Sequence, residues 1–292
     1  MINKSILNAG EVALVGSGPG DAELLTLRAL RFIEQAEIAI YDRLVSAEIM
    51  ALLPEKCEKI YVGKEQAKHC VPQDRINQIL VEQAQLGKKV LRLKGGDPFI
   101  FGRGGEEAEY LLANGVSCHI CPGITAASGC TSYAGIPLTH RGVALGCTFI
   151  TGHIQNNGQL NLPWQSLKEK TQTVVFYMGI NTLPMIAQEL IKHGRAATTP
   201  AALIRCGTQP EQQVFRGQLG NIAQLVAQHK ITPPTLIVVG DVVNQLTDKP
   251  LARPGFLQAD ILLTKVPSTV QTKALTDTQT ETEQAALEAA VL

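Results

Sequence analysis

The chain has 292 residues, and 26 Lys plus Arg are balanced by 26 Asp plus Glu, so its formal net charge is zero. This length is enough for one large domain or two ordinary ones. A nucleic-acid-binding protein usually carries a basic excess, which is absent here. The sequence contains neither an apolar run of transmembrane length nor a signal-peptide core. Seven irregularly spaced cysteines indicate reduced thiols. We therefore expect a cytoplasmic protein that binds no nucleic acid and no membrane.

After an N-terminal extension at residues 1–10, residues 11–145 alternate between strand-like and helix-like segments. Short apolar runs predict strands in EVALVG, EIAIYD, KIYVG, KKVLRLKGGD and VSCHIC. Amphipathic periodicity predicts helices in DAELLTLRALRFIEQA, capped by Asp21, in PQDRINQILVEQAQLG and in GEEAEYLLANG. This βαβ alternation predicts a mainly parallel sheet.

A second α/β domain is predicted over residues 146–250. Its strands are CTFITGH, TVVFYMG, PAALIRCG, EQQVFRG and TLIVVGD, and its helices are NTLPMIAQELIKHG and GNIAQLVAQH. The segment GTQPE between two strands predicts a hairpin, and therefore a mixed sheet. For residues 251–292, which are rich in Thr, Gln and Ala toward the end, we predict a disordered tail; a docking helix in ETEQAALEAAVL is the alternative.

The first strand ends in a glycine loop, VGSGPGD, that partly matches a dinucleotide-binding loop. Gly16 and Gly18 fit the G-x-G-x-x-G pattern, but Asp21 stands where the third glycine belongs. Pro19 also lacks a backbone donor for a phosphate. Asp42 nevertheless ends the second strand, where a ribose-binding carboxylate is expected. From this loop alone, a ligand-binding role and a simple tight turn both remain open.

Two further loops follow predicted strands. LKGGDPFIFGRGGEE at residues 93–107 contains five glycines, more than a turn needs. CPGITAASGCTSYAGIPLTHRG at residues 121–142 is built of small and hydroxyl side chains. Ligands of open α/β sheets bind outside the carboxyl ends of the strands. The three loops therefore predict a single binding cleft.

Together with YDRLVS and VGKEQAKHCVPQDRINQIL, these loops resemble the tetrapyrrole methylases over about residues 11–245, and most closely the uroporphyrinogen-III C-methyltransferases. The resemblance implies two α/β domains with an active-site cleft between them, a homodimer, and S-adenosyl-L-methionine as co-substrate without a metal. The positions that match the family's cofactor contacts are Pro19, Gly95, Gly96, Asp97, Ile100, Thr125, Ala126, Met178 and Gly207.

The reaction implied by the resemblance is C-methylation of uroporphyrinogen III at two pyrrole carbons, C2 and C7, which gives precorrin-2 for sirohaem or cobalamin synthesis. The family's proton-handling pair matches Asp42 and Lys64, and a carboxylate that takes the pyrrole N–H proton would act as a general base. Because the substrate carries eight carboxylates, basic side chains are expected to bind it. The candidates are Arg43, Arg103, His140 and Arg141.

Three alternatives stay open at this point. A methylase of a later precorrin would share the fold, and a non-catalytic tetrapyrrole carrier would bind without consuming the co-substrate. An NAD-dependent dehydrogenase is disfavoured by the missing third glycine. The pair Cys118 and Cys121 has metal-ligand spacing, but residues three apart on a strand face opposite sides, so we expect no metal site there.

Overall fold

The computed structural model describes residues 6–63, 71–154 and 160–246. Within these ranges the chain forms two five-stranded sheets flanked by helices, which confirms the predicted α/β class. The predicted tail at 251–292 and the candidate Lys64 lie outside the described residues. Across the described ranges, every helix is too short or too polar to span a bilayer.

The first sheet is entirely parallel, with strand order β3-β2-β4-β1-β5. Its strands are β1 (Val12–Gly16), β2 (Ile38–Tyr41), β3 (Glu58–Tyr61), β4 (Val90–Lys94) and β5 (Cys118–Cys121). Four helices lie between consecutive strands of this sheet: α1 (Leu27–Gln35), α2 (Ala47–Met50), α3 (Gln73–Gln85) and α4 (Gly104–Ala113). Parallel pairing places all five carboxyl ends at one edge of the sheet.

The first predicted helix begins later than its sequence pattern indicates. Asp21 caps only a short 3₁₀ turn at Ala22–Leu24, after which Leu25 is extended. Helix α1 starts at Leu27 because the hydroxyl of Thr26 accepts a hydrogen bond from Ala29 N at 3.0 Å. Asp21 and Thr26 are thus both good caps, but only Thr26 begins the α-helix.

The second sheet is mixed, as the hairpin signal predicts, with strand order β6-β7-β10-β8-β9. Its strands are β6 (Gly146–Thr151), β7 (Gln172–Tyr177), β8 (Pro200–Arg205), β9 (Gln213–Gln218) and β10 (Thr235–Val239). Strands β6 and β7 are parallel and the other neighbours are antiparallel. The helices of this part are α6 (Trp164–Leu167), α7 (Leu183–Lys192) and α8 (Ile222–His229).

Helix α5 (Ala126–Tyr133) joins the two sheets. It follows the last strand of the first sheet, but its buried residues Ala127 and Cys130 belong to an apolar cluster with Val175, Ala202 and Val238 of the second sheet. Helices α7 and α8 cover the other face of that sheet in a separate cluster. The start of α5 therefore lies between the strand ends of the first sheet and the second sheet.

Candidate active site

The loops after β1, β4 and β5 meet backbone to backbone at the carboxyl edge of the first sheet. Gly18 and Gly96 exchange two main-chain hydrogen bonds, of 3.1 and 2.7 Å. A methyl group on Gly123 would overlap Gly96 O and the main chain of Gly16. Glycine is required at position 123 because three main-chain segments approach each other there.

The glycines after β4 differ in how much space a side chain would have at each position. A side chain at Gly95 would collide with the Cβ of Leu44, whereas one at Gly105 would meet no atom within 4 Å. Gly96 has a φ of +69°, and a Cβ there would lie 3.7 Å from Ala126 N and 3.9 Å from Thr125 Cα. Gly96 is thus the glycine that leaves a narrow space between the β4 loop and the start of α5.

Asp97 ties two of these loops together. Its Oδ2 accepts a hydrogen bond from Gly123 N at 3.0 Å, and its Oδ1 accepts one from Phe99 N at 2.9 Å. The neighbouring candidate Ile100 is exposed on the same loop. The β4 loop is therefore anchored at Asp97, and its apolar tip remains accessible.

The second sheet brings two more candidates to this edge. Met178 directly follows β7 and is 53 % exposed. Gly207 packs against the thiol of Cys130 on α5, where any side chain would overlap the sulfur. The next residue, Thr208, accepts a hydrogen bond from Asp21 N at 3.2 Å, close to Pro19. Contacts from both sheets therefore surround the same loops.

Backbone strain is concentrated in the same loops. A positive φ is sterically unfavourable for residues other than glycine, and such residues cluster at functional sites. In the loops that carry the candidates, five non-glycine residues have positive φ: Phe101, Arg103, Met178, Cys206 and Thr208. This is an indication of function that does not depend on any sequence motif.

Asp42 follows β2, beside the β4 loop. Its Oδ1 accepts a hydrogen bond from Leu44 N at 3.0 Å, and its Oδ2 lies 3.4 Å from Nη2 of Arg92. Leu44 in turn packs against Gly95. The structure thus places the candidate base at the same edge as the candidate cofactor-binding glycines.

A buried charge network lies beneath Asp42. Arg92 Nε is 3.1 Å from Glu107 Oε1, and Lys94 Nζ is 2.9 and 3.0 Å from the two Glu107 oxygens. Gln73 donates to the same carboxylate at 3.1 Å. Burial, followed by the charge of Arg92, lowers the pKa of Lys94, and Glu107 opposes both effects.

Sequence reasoning missed this network. The available signal was the pair of cations in VLRLK, a strand that is otherwise fully apolar and buried on both faces, followed by a glutamate in the next helix. Lys and Arg are rarely buried unless they are paired, so a partner carboxylate could have been sought in GRGGEE.

The candidate substrate-binding side chains are exposed and do not form one cluster. Arg103, at the start of α4, already forms a two-pronged ion pair with Glu106, with N–O distances of 2.9 and 2.6 Å. This pairing raises the pKa of Arg103. Arg43 is exposed beside Asp42, whereas His140 and Arg141 lie in a separate turn in which His140 pairs with Ala144.

The structure also contains a cavity away from this edge of the first sheet. It has a volume of about 570 Å³ and is bordered by α7 and α8, on the face of the second sheet opposite α5. The side chains of Cys118 and Cys121 lie on opposite faces of the first sheet, as their spacing predicts. Across the described residues, no group of three His, Cys, Asp or Glu side chains is arranged to hold a metal ion.

Residues 11–223 match the family model for Tetrapyrrole (Corrin/Porphyrin) Methylases. The chain belongs to the tetrapyrrole methylase family. It is 59 % identical over 240 residues to a siroheme synthase of Pseudomonas aeruginosa, covering 82 % of this chain and 51 % of that protein. A siroheme synthase of Pseudomonas fluorescens is 60 % identical over 234 residues, with 80 % and 50 % covered. The chain thus spans about half the length of the curated relatives it matches.

The chain is also similar to solved structures of methyltransferases. A uroporphyrin-III C-methyltransferase from Thermus thermophilus, complexed with S-adenyl homocysteine, is 37 % identical and has a TM-score of 0.68. The match covers 80 % of this chain and 98 % of that one. A cobalt precorrin-4 methyltransferase has a TM-score of 0.71 at 21 % identity, which shows the shared tetrapyrrole methylase fold alone.

Proposed function

We propose that the chain transfers methyl groups from S-adenosyl-L-methionine to two pyrrole carbons of uroporphyrinogen III, C2 and C7, and so produces precorrin-2. The observation that carries this proposal is the similarity, at 37 % identity, to nearly the whole length of the Thermus thermophilus methyltransferase. Further support comes from the positions of Asp42, Gly96, Asp97 and Thr125, which lie at one edge of the first sheet.

The residues at that edge suit S-adenosyl-L-methionine. Gly96 leaves space beside Ala126 N, Asp97 is fixed by two main-chain donors, and Met178 offers an exposed apolar contact. Pro19, Gly95, Ile100, Thr125 and Gly207 complete the proposed binding set. The co-substrate supplies an electrophilic methyl group on a sulfonium. The chain's contribution is to hold it in line with the pyrrole carbon, which provides much of the rate enhancement.

Asp42 is the proposed base. Its carboxylate would accept the proton of the pyrrole N–H, which raises the nucleophilicity of the ring carbon. Lys64 is proposed to share in proton handling. Arg43, Arg103, His140 and Arg141 would bind substrate carboxylates, and Arg103 would exchange Glu106 for a carboxylate of the substrate. The cleft between the two sheets, a domain boundary near residue 145, a homodimer and a cytoplasmic location are parts of the same proposal.

The test is an anaerobic incubation of the purified chain with uroporphyrinogen III and S-adenosyl-L-methionine, followed by mass spectrometry. We expect the substrate to gain two methyl groups, with two molecules of S-adenosylhomocysteine formed per product. An end product with one methyl group in excess co-substrate would contradict the proposed reaction. Binding of substrate without consumption of the co-substrate would instead support a carrier.

A further inference from the structure

Helix α5 lacks the N-terminal cap that its sequence offers. Thr125 occupies the N-cap position, and threonine at this position usually accepts a hydrogen bond from the first turn. Here the Thr125 side chain makes no such bond. Its hydroxyl instead shares a hydrogen bond of 2.6 Å with the hydroxyl of Tyr177.

The missing cap is supplied from the second sheet. The Tyr177 hydroxyl, at the end of β7, accepts a hydrogen bond from Ala127 N at 2.8 Å. Free N–H groups in the first turn of a helix need such an acceptor. The phenol can donate its proton to Thr125 while it accepts from Ala127, and burial, which raises the pKa of Tyr177, further favours the protonated form.

Tyr177 also contacts the glycine-rich loop after β4. Its ring lies 4.9 Å from the ring of Phe101, centroid to centroid, at an interplanar angle of 51°. Phe101 has a positive φ of 54°, and so does Met178, at 56°, which directly follows Tyr177. One side chain therefore contacts both the start of α5 and the β4 loop, and it adjoins Met178 in the chain.

We propose that Tyr177 is a positioning residue for the co-substrate site, which fixes Thr125 and Ala126 relative to Met178 and the β4 loop. This inference rests on the proposed function, because those residues are the proposed co-substrate contacts. Without the hydroxyl, Thr125 is free to turn inward and cap its own helix, and Ala127 N loses its acceptor. Either change moves the segment that faces Gly96.

The decisive variant is Tyr177→Phe, which keeps the ring and its contact with Phe101 and removes only the hydroxyl. Loss of two hydrogen bonds of ordinary strength predicts S-adenosylhomocysteine binding weaker by roughly five- to thirtyfold in calorimetry. The KM for S-adenosyl-L-methionine should rise by a similar factor, while kcat at saturation stays within about threefold. Hydrogen exchange should show faster exchange of the Ala127 amide.

Phe149→Leu is the matched control. Phe149 is on β6, its ring lies 6.1 Å from the Tyr177 ring, centroid to centroid, and it carries no hydroxyl. It should lower the melting temperature and leave S-adenosylhomocysteine binding within about twofold. Equal weakening by both variants, or native binding and native Ala127 exchange in Tyr177→Phe, would overturn the inference. If the native chain does not bind S-adenosylhomocysteine, the proposed function itself fails, which is a different result.

Discussion

The two sheets bury charge in different ways. Among the described residues, the first sheet and α4 enclose Arg92, Lys94 and Glu107, which pair with one another and reach Asp42. The second part of the chain encloses Arg195, whose guanidinium donates to main-chain carbonyls of Leu167, Glu169 and Gln172 at 2.9–3.0 Å.

This difference separates a structural charge from one that is better explained by function. Arg195 satisfies carbonyl groups that would otherwise be buried without donors, so its burial serves the main chain. A buried ion-pair network stabilises a fold little compared with well-packed apolar side chains. The network beneath Asp42 is therefore better explained by the site above it than by the stability of the first sheet.

The largest expected effect on stability comes from removing the charge of Glu107, the one fully buried carboxylate among the described residues. Glu107→Gln keeps the shape but leaves Arg92 and Lys94 facing each other without a full countercharge. Breaking a buried pair costs about 3–5 kcal/mol, which urea unfolding would measure. Arg195→Met, the counterpart in the second part of the chain, should also destabilise the fold, because main-chain carbonyls lose their donor, but it should leave methyl transfer per folded molecule near native. A Glu107→Gln protein of native stability would contradict the comparison.

A smaller effect is expected at the junction of the three strand-end loops. Gly123→Ala forces a methyl group against Gly96 O and Gly16, and overpacking of this kind costs about 1–3 kcal/mol. The matched control is Gly105→Ala, where the methyl group meets open space at the start of α4. Alanine there should be neutral or stabilising by up to about 1 kcal/mol. Equal stabilities of the two variants would show that the loops are not closely packed.

A third effect on stability appears only at high pH and concerns Cys130, which packs between α5 and the second sheet. Burial raises the pKa of Cys130 to about 12 from the ordinary value of 9.0. Between these values the unfolded thiol ionises and the folded one does not, so stability falls as pH rises above 9.0. The loss is roughly 2 kcal/mol near pH 10.5.

Unfolding of Cys130→Ala between about pH 8 and 11 tests this, and its stability should decline less steeply with pH than that of the native chain. Cys147→Ala is a useful comparison, because burial raises the pKa of Cys147 only to about 11. Its change in slope should be the smaller of the two. An unchanged slope in Cys130→Ala would place the thiol in contact with water.

Most strands of both sheets were predictable, because they contain apolar runs bounded by glycine or polar residues. The start of α1 was not, because Asp21 and Thr26 are both suitable caps and only the extended Leu25 separates their turns. The convergence of Gly96, Asp97 and Thr125 followed from parallel pairing and from the family's motifs.

The contacts that support the site could not be predicted from local sequence. Tyr177 is 50 residues from Ala127, and no motif relates the two. The pairing of Arg92 with Glu107 depends on how α4 packs beneath the first sheet. His140 and Arg141 were grouped with the other basic candidates by charge alone, and the structure places them in a separate turn.

If Asp42, at the carboxyl edge of the first sheet, performs the chemistry, single-turnover methyl transfer in Asp42→Asn shows this most directly. With S-adenosyl-L-methionine bound beforehand, we expect the rate to fall by about a hundred- to ten-thousandfold, the usual contribution of a general base. Affinity for S-adenosyl-L-methionine should change by less than about tenfold. A native methyl-transfer rate in this variant, whatever its melting temperature, would contradict the account.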